Sequence, residues 1–214
     1  MCYTILQNRS APAPAIIKGR NHTAMEPWES LEAACTSCTK CALHQTRTNC
    51  VFGTGSRQAD LLFVGEAPGE QEDLSGIPFV GRAGKLLDQY LFAVDIPREE
   101  VYIANILKCR PPQNRDPLPE EEDACMDYLR EQVRLINPKI IVCLGRISAM
   151  RLIKPDFRIT REHGQWFERG RFLITAVYHP AALLRDPRKK EEMLADMQSI
   201  RAKLNELQEA VTGA

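Results

Sequence analysis

No apolar run in this 214-residue chain approaches the roughly 18 residues that a membrane-spanning helix needs, which excludes a transmembrane protein. Neither sign of charge is in excess, because 28 lysines and arginines meet 28 acids. That excludes a uniformly basic nucleic-acid binder, though a basic face can exist on a neutral total. Met1 to Ser10 lacks the basic segment followed by an apolar one that marks export, so the expectation is a cytoplasmic protein. Internal repeats are missing too. The chain is 44% hydrophobic and 26% charged, which excludes a disordered chain or a collagen-like fibre. Its length predicts one domain with extras.

What the chain has is cysteine, eight in all. In a reducing compartment disulfides are not their expected purpose. Metal or cluster ligation is the leading reading for some of them.

Residues 1–27 read as a tail, since Ala11-Pro12-Ala13-Pro14-Ala15 is linker-like. The domain is expected over 28–208, with a short tail over 209–214. Four apolar runs read as buried strands: Leu61 to Val64, Val101 to Leu107, Ile140 to Leu144 and Phe172 to Val177. Helices are expected over Gly84 to Val94, Pro119 to Ile136, Arg146 to Ile153 and Lys189 to Leu207. The second opens with proline and four acids, Glu120 to Asp123. The last places Met193, Met197, Ile200, Leu204 and Leu207 on one face. Alternating strands and helices predict an α/β fold with a parallel sheet covered on both faces.

The unusual residues follow the expected strands. Gly65-Glu66-Ala67-Pro68-Gly69 follows the first, Asn105 sits near the end of the second, and His179-Pro180 follows the fourth. Open α/β sheets bind ligands at the carboxyl ends of their strands, so Glu66 or Glu72, Asn105 and His179 are expected to share a pocket. A carboxylate can position or deprotonate a water. An asparagine amide matches the edge of a uracil-like base. A histidine can donate to developing negative charge, and Phe79 offers a flat apolar surface. Together these suit a base drawn into a pocket and attacked at its sugar. Taken singly, each has an ordinary structural reading: a tight turn, a loop cap, a core histidine, a core phenylalanine, an acidic turn at Glu70 to Asp73. Joint placement at strand ends is what favours a site.

Cys35, Cys38 and Cys41 are evenly spaced ahead of the sheet. Cys109 follows the second strand and Cys125 lies in the long helix. Two close and two distant cysteines make a four-thiolate site, and spacing leaves zinc and an iron–sulfur cluster equally open. Cys2, Cys50 and Cys143 read as non-ligands, since a buried free cysteine behaves as a small apolar residue. Arg82, Lys85, Lys108, Arg110, Arg115, Arg185, Arg188, Lys189 and Lys190 lie near these motifs and could supply phosphate contacts.

Three ordered blocks carry a likeness. Gly65-Glu66-Ala67-Pro68-Gly69-Glu70-Gln71-Glu72-Asp73, with Gly76 to Gly84, resembles the first motif of the family 4 uracil-DNA glycosylases. Asn105-Ile106-Leu107-Lys108-Cys109-Arg110-Pro111-Pro112 resembles the second, and His179-Pro180-Ala181-Ala182-Leu183-Leu184-Arg185 the last. The resemblance implies a three-layer α/β/α sandwich around a mostly parallel four-stranded sheet. It also implies a structural 4Fe-4S cluster on Cys38, Cys41, Cys109 and Cys125, leaving Cys35 over. Glu72 would position the hydrolytic water, with Asn105, His179 and Glu66 also catalytic. Gly65, Glu66, Ala67, Phe79, Asn105 and His179 would hold uracil. Leu183, Leu184 and Arg185 would contact DNA, the leucines as wedges. The implied partner is uracil-containing DNA, met by a monomer. A non-catalytic four-cysteine binding module is the competing class. A nucleotide-binding enzyme is disfavoured, because the Gly65 to Gly69 turn lacks the Gly-Lys-Ser/Thr ending of a P-loop.

Overall fold

The computed structural model describes residues 27–212. The expected N-terminal tail, apart from residue 27, lies outside the described residues. In chain order the elements are α1 (Pro27–Thr36), β1 (Thr54–Gly55), β2 (Leu61–Gly65), α2 (Glu70–Ser75), α3 (Arg82–Ala93) and β3 (Tyr102–Asn105). There follow α4 (Pro119–Ile136), β4 (Ile140–Leu144), α5 (Arg146–Leu152), α6 (Ile159–Glu162), β5 (Phe167–Arg169), β6 (Phe172–Val177), α7 (Pro180–Arg185) and α8 (Lys190–Thr212). α8 runs past the expected domain end at 208.

The sheet has six strands, in the order β1-β3-β2-β4-β6-β5, rather than the expected four. The four expected strands are its parallel centre. The two additions are short antiparallel edges, β1 on β3 and β5 on β6. All residues of β2 and β4 are buried. Such strands carry near-continuous apolar sequence because both of their faces are covered. Two cores result. One joins Leu62, Val64 and Cys143 to Trp28, Met126, Leu129 and Ala149. The other joins Phe63, Val142 and Leu144 to Leu87, Leu91, Leu183, Met193 and Met197. Helices α1, α4 and α5 therefore cover one face, and α3, α7 and α8 the other, giving three layers.

α4 shows how local chemistry fixes an element. Pro119 opens it with a preset φ and no amide to satisfy. The Glu121 carboxylate reaches back to accept from the Leu118 N–H at 2.9 Å. The same carboxylate takes both ends of the Arg115 guanidinium, at 2.6 and 2.8 Å. Asn137 closes the helix in the left-handed region at φ 53°. Because Glu121 is buried, its loss leaves donors without partners. Glu121→Ala is expected to lower the unfolding free energy by about 2 kcal/mol, read as a lower urea midpoint with an unchanged slope.

Candidate active site

Parallel strands bring their carboxyl ends to one edge, and the pocket lies there. Gly65 of β2 stands directly beside Asn105 of β3 in register. Glu66, Ala67, Glu72, Phe79, Asn105, Gly145, His179 and Arg185 all line the pocket. Residues more than a hundred positions apart thus meet as expected from strand order.

Asn105 is buried, yet neither its Oδ1 nor its Nδ2 has a partner within the protein. Buried polar atoms are almost always paired, and each orphan costs roughly 1–3 kcal/mol. The amide therefore keeps its donors and acceptor uncommitted at the pocket wall. Its own carbonyl is fixed, accepting from Lys108 Nζ at 2.9 Å.

Phe79 is buried at the pocket wall with φ 54°, a left-handed conformation that costs a side-chain-bearing residue roughly 1–2 kcal/mol. Arg98 holds it there, donating to the carbonyls of Pro78 and Phe79 at 3.0 and 3.1 Å while pairing with Asp88. Gly65 makes room for it. A Cβ on Gly65 would lie 2.3 Å from Asn105 Oδ1 and 2.7 Å from Phe79 Cζ. Gly145 does the same for His179, whose Cβ would lie 2.8 Å from a Cβ added at Gly145.

His179 caps α7, and its Nδ1 accepts from the Ala181 N–H at 3.2 Å. A neutral imidazole has one N–H, so its proton resides on Nε2. Burial, aided by the nearby Arg185 charge and opposed by Glu72, holds the imidazole pKa down at about 4. At neutral pH this ring is an uncharged donor. It lies 5.7 Å from the Phe79 ring, centroid to centroid.

The two carboxylates divide differently from expectation. Glu72 was expected to position a water. In the structure its Oε2 accepts from the Gly69 N–H at 3.1 Å, and its Oε1 from Val80 and Gly81 at 3.0 and 2.8 Å. It clamps the start of α2 to the loop before α3. Glu66 is pushed up to about 7, by burial first and then by Asp116 against the pull of Arg146. A carboxylate whose proton affinity is raised by burial in a cleft is a candidate for moving protons.

The DNA-contact expectations separate as well. Leu183 is 0% exposed and packs in the core, because consecutive helix positions cannot share a face; Leu184 is 39% exposed. Lys108 is fully buried and is no phosphate contact. Arg115 and Arg188 are paired with Glu121 and Asp186. Arg115, Arg146 and Arg185 line the pocket. Arg98, Gly145, Arg146 and the buried role of Lys108 were missed. Only Gly145, between a strand and a helix, carried a sequence signal.

Cys38, Cys41, Cys109 and Cys125 line a single cavity together with Cys35, Arg47 and Lys108. Among the described residues, no three metal-ligating side chains converge on a single point. Backbone and side-chain donors face the sulfurs: Lys40 N to Cys38 at 3.5 Å, Lys108 N to Cys125 at 3.3 Å, and Arg47 Nη1 to Cys109 at 3.1 Å. Burial raises the Cys109 thiol to about 11 and the Cys125 thiol to about 12. A metal would have to displace those protons to bind.

The open sheet and its strand-end pocket define an α/β enzyme. Residues 52–204 match the family model of the uracil DNA glycosylase superfamily. A type-4 uracil-DNA glycosylase of Archaeoglobus fulgidus is 48% identical over 184 residues, covering 82% of this chain and 92% of that protein. One from Sulfurisphaera tokodaii is 43% identical, covering 83% and 84%. One from Thermotoga maritima is 43% identical, covering 77% and 87%. The chain belongs to the type-4 uracil-DNA glycosylases of that superfamily and is a DNA-repair glycosylase. No helix among the described residues is long and apolar enough to cross a membrane.

The crowding at Gly65 makes a direct test of the pocket. Gly65→Ala is expected to drive Asn105 and Phe79 apart and slow uracil release about 10²-fold, the scale of an ångström of misplacement. Circular dichroism should show the fold retained. An unchanged rate would refute this geometry.

Proposed function

We propose that this enzyme draws a uracil nucleotide out of DNA into the strand-end pocket and hydrolyses its N-glycosidic bond, giving free uracil and an abasic site. The unpartnered amide of Asn105 carries this reading, because its donors and acceptor match the polar edge of uracil. Extrusion costs a few kcal/mol, recovered by stacking on Phe79 and pairing with Asn105. As the bond breaks, negative charge grows on the base. The Nε2–H of His179 donates to it as a preorganised neutral dipole. Glu66 in its ionised form holds and activates the water, and Glu72 keeps the loop in place. Leu184 is the exposed leucine able to enter the vacated space, while Arg185 is positioned for phosphate.

We further propose that Cys38, Cys41, Cys109 and Cys125 hold a 4Fe-4S cluster. Its chemistry when bound is that of a structural tie between the segment before the sheet, the end of β3 and α4. The donor set and the facing N–H groups support this. Iron and sulfide analysis is expected to show the cluster kept in Cys35→Ala and lost in Cys125→Ala. Stoichiometric zinc in its place would overturn the cluster.

The decisive experiment is release from an oligonucleotide with one uracil opposite guanine, beside a single-stranded copy and a thymine control. Wild type should leave alkali-sensitive sites on uracil substrates alone. Asn105→Ala should fall roughly 10²–10³-fold, the loss typical of one preorganised polar contact. No release by iron-loaded wild type would sink the proposal.

The pH dependence follows from Glu66. Its carboxylate must be ionised, and its pKa is raised to about 7. The single-turnover rate should therefore climb about tenfold per unit up to that value and then level. Since His179 changes state only near 4, it cannot produce that limb. Glu66→Gln should remove the slope along with most of the rate.

A further inference from the structure

Cys35 and Cys50 are the two sulfurs near the thiol cavity that the cluster proposal leaves unused. Their Sγ atoms stand 3.5 Å apart, 15 residues apart in sequence. Cys35, near the end of α1, is fully buried, and Cys50 is half-buried in the loop that leads to β1. The Cys50 thiol also donates to the Cys35 carbonyl at 3.4 Å.

We propose that Cys35 and Cys50 form an oxidative modification site, a dithiol that closes reversibly to a disulfide when it meets hydrogen peroxide. Two features support it. The sulfurs are already in contact at 3.5 Å, so a bond between them needs them to close by about 1.5 Å. Cys50 is the more accessible of the two, so a peroxide meets it first. An accessible thiol beside a buried one is the arrangement of an attacking and a resolving cysteine.

The step balances. The Cys50 thiolate attacks one peroxide oxygen, the O–O bond breaks, and the departing oxygen takes a proton to leave as water. Cys50 is then a sulfenic acid. The Cys35 sulfur attacks Cys50, the S–O bond breaks, and the Cys35 proton leaves with the hydroxyl as a second water. Two thiols are oxidised and one peroxide is reduced.

Closure would have a structural reach. The Thr48 and Asn49 N–H groups donate to the Asp73 carboxylate, and the Asn49 amide donates to the Asp73 and Leu74 carbonyls. Cys50 is the next residue. A disulfide would fasten α1 to the segment that holds α2, and so to the loop clamped by Glu72. The inference rests on the cluster reading, which leaves these two thiols free, and not on the uracil reading, since both lie outside the pocket.

The test treats the iron-loaded full chain with hydrogen peroxide, blocks free thiols with an alkylating agent, and maps the peptides by mass spectrometry. The expected product is a Cys35–Cys50 cross-link lacking two hydrogens, rising from none to most of the chains. Dithiothreitol should reverse it, with the visible absorbance of the cluster retained. In Cys35→Ala, a sulfenic-acid probe should label Cys50. Both cysteines still alkylated after the cluster has bleached would overturn the proposal. So would Cys35 or Cys50 cross-linked to any other cysteine.

Discussion

The ammonium group of Lys108 is the point through which the two halves of this molecule hold each other. Its Nζ donates to the Asn105 carbonyl at 2.9 Å and to Gln132 Oε1 at 2.7 Å. Its backbone N–H faces Cys125 Sγ, and its carbonyl accepts from Val51. Gln132 in turn donates to the Phe52 carbonyl. Strand β3, helix α4, the segment before β1 and the thiol cavity are thereby tied to the one asparagine that the pocket leaves unpartnered. Burying a cation is costly unless it is compensated. Among the described residues no carboxylate pairs with it, and burial lowers its proton affinity below the usual lysine range, opposed by Cys35, Cys125 and Cys50. Its hydrogen bonds to Asn105 and Gln132 are the compensation that the fold supplies.

The first-motif loop shows the same economy of constraint. Phe79 occupies an unfavourable backbone conformation, and such strain persists only where the surroundings over-determine it. Here they do. Arg98 grips the carbonyl side, Glu72 grips three amides, and Gly65 removes the side chain that would collide. Glu72 acts as a strut, its two oxygens accepting three backbone amides. Burial raises the proton affinity of Glu66 in the same pocket.

The four central strands were legible because burial on both faces writes a continuous apolar run. α4 was legible to the residue because proline and acids mark its start. β1 and β5 were not, since two or three half-buried residues carry no period. α2 hid inside a segment that reads as an acidic turn. In the pocket, Asn105, His179 and Phe79 could be found from strand ends and motif likeness. Glu72 could not be assigned its strut role, because a sequence does not say which amides a carboxylate will meet. Lys108 reads as a surface cation until the fold closes over it. Leu183 and Leu184 could not be told apart without the phase of the short helix that carries them.

One physical cause, removal from water, moves Glu66 and His179 of the pocket in opposite directions. It raises Glu66 to about 7 and lowers His179 to about 4. Both shifts favour the neutral form. The consequences differ by role. A neutral imidazole with its proton on Nε2 is a donor whose charge does not change near neutral pH. A carboxylate balanced near neutrality exchanges its proton at little cost in free energy. The wall that excludes water therefore sets both protonation states together. Phe79, Gly65 and Gly145, which have no proton to offer, shape that wall.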